Sequence, residues 1–90
     1  MKIDFRKIEV QNNIDEAPVE TDICKVLGNT IHQNTPDIGE LDFAREIYTN
    51  GEVEIDPARA EIIRKYMDVG QFFARVKAGV NKELDRVINP

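Results

Sequence analysis

The sequence predicts an α+β domain, and three observations carry that prediction. Period-two alternation of apolar residues is confined to short stretches at 3–10, 19–23 and 52–56, three- and four-residue spacings govern the rest, and turn or capping residues fall between them. The expected architecture is an N-terminal β-hairpin, to which a third short strand can add an edge, followed by two short helices and a long or kinked C-terminal amphipathic helix. Helices gather after the strands, which favours segregated layers over alternating βαβ units.

In the first segment Ile3 and Phe5 share one phase of the alternation while Ile8 and Val10 share the other, so a strand here must change face near Arg6 and Lys7. A β-bulge is the expected device. Asn12, Asn13, Asp15 and Pro18 supply turn chemistry, and Val19, Thr21 and Ile23 resume the alternation as the return strand. Ile23, Val26, Leu27, Thr30 and Ile31 then follow helical spacing, with Thr21, Asp22 or Cys24 near the first turn and Asn34-Thr35-Pro36 as the stop. Thr35 or Asp37 can cap the next helix, with Pro36 suited to a first-turn position. Ile38, Leu41, Ala44, Ile47 and Tyr48 give that helix its apolar face, and Asn50-Gly51 close it. Glu52 to Asp56 alternate strictly, turning Val53 and Ile55 inward. Asp56-Pro57 form a cap and first-turn pair for the C-terminal helical region, which runs nearly to Asn89.

That last region holds the strongest pattern in the chain. Ile62, Tyr66, Val69, Phe73, Val76, Val80, Leu84 and Val87 recur at spacings of 4, 3, 4, 3, 4, 4 and 3. On a helical wheel they fall within roughly 80°, a stripe narrow enough to serve as a seam with another chain. Ile63, Met67, Phe72 and Ile88 widen it. Gly70 lies inside the stripe, and an interior glycine costs about 1 kcal/mol relative to alanine, so a break near Val69-Gly70 competes with one continuous rod. The stripe has two readings, an intermolecular seam or intramolecular core.

Ninety residues, 41% hydrophobic and 32% charged, suit one globular domain spanning 1–90. No apolar run approaches the roughly 20 residues of a membrane span, and no apolar h-region follows the N-terminal MKIDFRKIEV. The single cysteine, Cys24, excludes an intrachain disulfide and a multi-cysteine zinc site, and the expectation is a cytoplasmic protein without a membrane partner. The net charge of −5 divides unevenly: residues 1–10 sum to +1, residues 11–56 to −9 and residues 57–90 to +3.

Catalytic and ligand motifs are absent from the sequence. His32 is the sole histidine, and on one helix it would lie eight residues, roughly 12 Å, from Cys24, too far for a dyad. Asp37, Glu40 and Asp42, and likewise Glu52, Glu54 and Asp56, are close in sequence but match no calcium loop. The five glycines are scattered singly, so no phosphate loop forms. The expectation is a protein that is not an enzyme and takes no metal or cofactor.

The stretches Leu27-Gly28-Asn29-Thr30-Ile31, Asp37-Ile38-Gly39-Glu40-Leu41 and Ala44 through Ile55 resemble small uncharacterised proteins of bacterial prophages and related mobile elements. The resemblance spans about a third of the chain, from Leu27 to Ile55, holds no active-site motif, and implies an accessory or assembly protein of such an element.

The sequence thus favours a non-catalytic protein-interaction or assembly module that forms a homo-oligomer through the C-terminal helix, with Val69, Phe73, Val76, Val80, Leu84 and Val87 as the contact set, and that could also meet an unidentified protein partner. The alternative is a small nucleic-acid-binding regulator in which Arg64, Arg75, Lys82 and Arg86, on the opposite helix face, touch phosphates. The acidic balance and the lack of a clustered basic run count against it.

Overall fold

The change of hydrophobic phase at Arg6 and Lys7 is absorbed by a turn, so the first segment forms two strands, β1 (Lys2–Asp4) and β2 (Ile8–Val10), where the sequence suggested one bulged strand. Asp4 makes the turn. Its carboxylate accepts from the Arg6 backbone N–H at 3.0 Å and from the Arg6 guanidinium at 2.9 and 3.1 Å, while the Lys7 N–H donates to the Asp4 carbonyl at 3.1 Å. Because the chain rotates between the strands, Ile3 and Phe5 on one side and Ile8 and Val10 on the other all reach the core.

The remaining elements, within a computed structural model that describes residues 1–89, are β3 (Val19–Thr21), α1 (Cys24–Asn34), α2 (Ile38–Asn50), β4 (Glu52–Glu54), α3 (Pro57–Val69) and α4 (Ala74–Ile88). The hairpin is present, with β2 antiparallel to β3 and Val10 opposite Val19. The third strand does not extend it. β4 pairs antiparallel with β1, with Ile3 opposite Val53, so the fold has two small sheets of two strands each. The described residues form an α+β domain with four helices.

Local chemistry explains the helix ends. The Asp22 carboxylate accepts from the Cys24 N–H at 3.0 Å at the start of α1. Asp37 is the cap of α2 and accepts from the Glu40 N–H at 3.0 Å, which places Pro36 one residue before the cap and outside the first turn. Asp56 caps α3 in the same way, accepting from the Arg59 N–H at 2.8 Å with Pro57 at the first helical position. Gly51 ends α2 at φ 72°, a conformation that favours glycine, and its carbonyl accepts from the Phe5 N–H at 2.9 Å, tying α2 to the β1–β2 turn.

One continuous core joins these elements. α1 contributes Leu27 and Ile31, with Ile23 just before it, but leaves Val26 52% exposed, and α2 contributes Phe43, Ala44 and Ile47 but leaves Ile38 and Tyr48 exposed. On α3 the buried face is Ala60, Ile63, Tyr66 and Met67, shifted about one position from the stripe read in the sequence. α4 lies across β2, where Gly79 permits backbone contact, since a Cβ at that position would overlap the Glu9 carbonyl.

Candidate protein-interaction surface

The C-terminal helix breaks after Val69. The Gly70 N–H donates to the Tyr66 carbonyl at 2.9 Å, the Gln71 N–H to Asp68 at 3.1 Å and the Phe72 N–H to Met67 at 3.2 Å, the paired-bond pattern of a Schellman motif. Glycine normally occupies its left-handed position. Here Gln71 does, at φ 54°, while Gly70 remains right-handed at φ −76°. The reason for the displacement is steric: a Cβ at Gly70 would stand 2.6 Å from Thr30 Cγ2 and 2.9 Å from the Phe72 ring.

α4 then starts at Phe73, which has extended geometry and supplies no side-chain cap. Phenylalanine offers nothing to the orphan amides of a helix N-terminus. Its ring is 67% exposed, with the Arg75 guanidinium 4.7 Å from its centroid. Beside it lies a concavity of about 240 Å³ lined by Val26 and Thr30 of α1, Gly70, Gln71 and Phe72 of the joint, and Val76 of α4. Every lining residue is uncharged. Val69 adjoins Gly70 and is 47% exposed, and an ion pair between Lys77 and Asp68 at 2.8 Å spans the same joint.

The structure divides the six residues assigned to an intermolecular seam. Val80 and Leu84 are fully buried in the chain's own core, and Val76 and Val87 are partly buried against it, because α4 folds back onto β2. Only Val69 and Phe73 are largely free. Val26 and Phe72 join Val76 around the concavity instead; helical spacing alone does not say which of two neighbouring faces of α1 is covered.

The four basic residues do not form one row either. Arg64, on α3, reaches across to Asp85 of α4 at 3.1 Å and to Glu61 at 3.9 Å, and its Nε is buried without a hydrogen-bond partner among the described residues. Lys82 pairs with Glu9 at 3.6 Å, Arg86 with Glu83 at 3.3 Å, and Arg75 stacks on Phe73. Arg75 and Lys82 share a shallow groove with Glu9, Gln11 and Gly79, but a carboxylate already sits in it. Phosphate contact by this set would have to displace carboxylates from three of the four bases.

Four of the six acidic residues clustered in the sequence have structural partners. Asp37 and Asp56 are caps, Glu54 pairs with the N-terminal ammonium at 2.6 Å, and Glu40 accepts at one oxygen from the buried Tyr66 hydroxyl at 2.6 Å and from the Thr35 hydroxyl at 2.8 Å. No group of three histidine, cysteine or acidic side chains is placed to hold a metal among the described residues. Burial first, and then the Asp22 carboxylate, push the Cys24 thiol pKa up, which suppresses the thiolate. A second open groove of about 200 Å³ between α1 and α2 is lined by Asn29, His32, Arg45, Tyr48 and Thr49 over Gly28 and Ala44. No helix is long and apolar enough to cross a membrane among the described residues.

In comparisons with known proteins no family model matches the chain, and neither a curated protein nor a solved structure does.

Proposed function

We propose that this protein is a non-catalytic interaction module that self-associates through the apolar surface at the α3–α4 joint, a role suited to an accessory or assembly component. The observation that supports it is Phe73. A large ring stands in solvent at a helix N-terminus where a small polar side chain would stabilise the fold better, and it borders an uncharged concavity flanked by Val26 and Val76. An uncharged lining lets two copies meet without opposing like charges, despite the net charge of −5.

Burial values set the scale. Phe73, Val69 and Val26 are each about half exposed or more, so covering them contributes about 2–4 kcal/mol per protomer, and twice that across a two-fold interface. Association itself costs about 4–15 kcal/mol, so simple docking of these surfaces gives a weak complex. The test is a dilution series of amide chemical shifts. Concentration-dependent shifts confined to residues 26–30 and 69–76 are expected; flat spectra, or shifts centred on His32 and Arg45, would refute the reading.

A further inference from the structure

The apolar stripe is continuous in phase through the segment where the chain turns back. In one straight helix Val69 and Phe73 would extend the face that carries Tyr66 and Val80. In the bent chain these two are 47% and 67% exposed, whereas Tyr66, Val80 and Leu84 are buried. The joint is also locally unfavourable on both sides. Gln71 adopts a left-handed conformation that costs a side-chain-bearing residue, and α4 begins at Phe73 without a side-chain cap. Fusing α3 and α4 into a single helix over residues 57–88 would relieve both. Short connections under strain are where identical chains exchange elements.

Resting on the self-association reading above, we propose that two copies straighten at Gly70–Phe72 and exchange α4, each α4 docking on the other copy's β2. A lone chain cannot stay open, because lifting α4 from β2 exposes Val80 and Leu84 to water. The surface shaped to receive α4 is specific: Gly79 fits against the Glu9 carbonyl, where any Cβ would clash. A second copy of this chain supplies an identical surface. The fused helices then cross near Val69 and Phe73, which cover each other and remove the exposure seen in the single chain.

Two neighbouring substitutions test the exchange with opposite signs. Gly70→Ala introduces a Cβ that meets the Phe72 ring in the bent chain yet favours a straight helix, and should raise the dimer population by about fivefold per protomer. Gln71→Gly relieves the left-handed residue and weakens the straight helix, and should lower it by on the order of tenfold per protomer. The path of the chain is read directly by spin labels at Glu61→Cys and Asp85→Cys in a Cys24→Ala background, diluted with excess unlabelled protein. In the bent chain both positions contact Arg64, at 3.9 and 3.1 Å, so the labels are close; in the fused helix they are 24 residues, roughly 36 Å, apart. Dimers showing the long separation, with the two substitutions acting in opposite directions, support exchange. Dimers showing only the short separation overturn exchange and leave surface docking standing. Absence of dimers overturns both.

Discussion

Replacing Gly79 with alanine sets helix propensity against packing at one position. Gly79 lies within α4, where alanine is favoured by about 1 kcal/mol, so propensity alone predicts a more stable protein. The structure predicts the reverse. The new methyl would overlap the backbone carbonyl of Glu9 and stand 3.1 Å from Ile8 Cγ2, and the backbone of a strand paired with β3 cannot swing aside as a flexible side chain would. α4 must lift, partly re-exposing Val80 and Leu84, each of which contributes about 1.5–3 kcal/mol when fully buried. Overpacking of this kind costs about 1–3 kcal/mol, and with partial loss of burial the net effect after the propensity gain is a loss of about 1–3 kcal/mol. In a domain of this size that corresponds to a fall in Tm of about 4–8 °C for each kcal/mol. Urea unfolding followed by circular dichroism, at low protein concentration, measures it. A Gly79→Ala variant as stable as the parent, or more so, would refute the close approach of α4 to β2.

Other consequences are open to direct measurement. Tyr66→Phe removes the 2.6 Å bond to Glu40 from an otherwise buried ring and should cost about 1–2 kcal/mol in urea unfolding, with Glu40→Gln weakening the fold less because the amide still accepts. The Cys24 thiol, buried and held protonated, should be alkylated by iodoacetamide only as fast as the fold opens; reaction at the rate of a free thiol would contradict its placement. The hydrogen bond from the Arg6 side chain is the main cause that holds the Asp4 carboxyl below its ordinary pKa. A carboxyl depressed on folding stabilises the fold above the unfolded value of about 3.9 and loses that contribution as pH falls through the lower folded value. The stability gap between the parent and Asp4→Asn should therefore close in that acid window, and a gap constant down to the lowest pH would count against the pair.

Much of the fold was legible because local chemistry and packing agree. Asp56-Pro57 starts a helix, Asn50-Gly51 ends one, and the strict alternation around Val53 and Ile55 marks a strand, each by a mechanism that needs no distant partner. Pairing was less legible. That β4 adds to β1 and not to β3 depends on the turn built by Asp4 and Arg6, which separates Ile3 from Ile8 and assigns them to different sheets. The stripe in residues 62–87 misled for a related reason. Its phase is helical throughout, but the chain bends after Gly70, which packs closely against Thr30, 40 residues away in sequence. Val80 and Leu84 consequently belong to the core, while Val26, on the helical spacing of α1, and Phe72, at the edge of the stripe, flank the exposed Phe73.

The most direct measurement is absolute molar mass by light scattering across a concentration series, for the parent chain and for Phe73→Asp. Aspartate at a helix cap should leave the fold intact or strengthen it, so any change in mass reports association and not unfolding. Self-association through Phe73 predicts a rise from 10.3 kDa toward a multiple of it for the parent, and 10.3 kDa throughout for the variant. A parent chain that stays at 10.3 kDa at the highest concentration, or a variant that associates as the parent does, would contradict it.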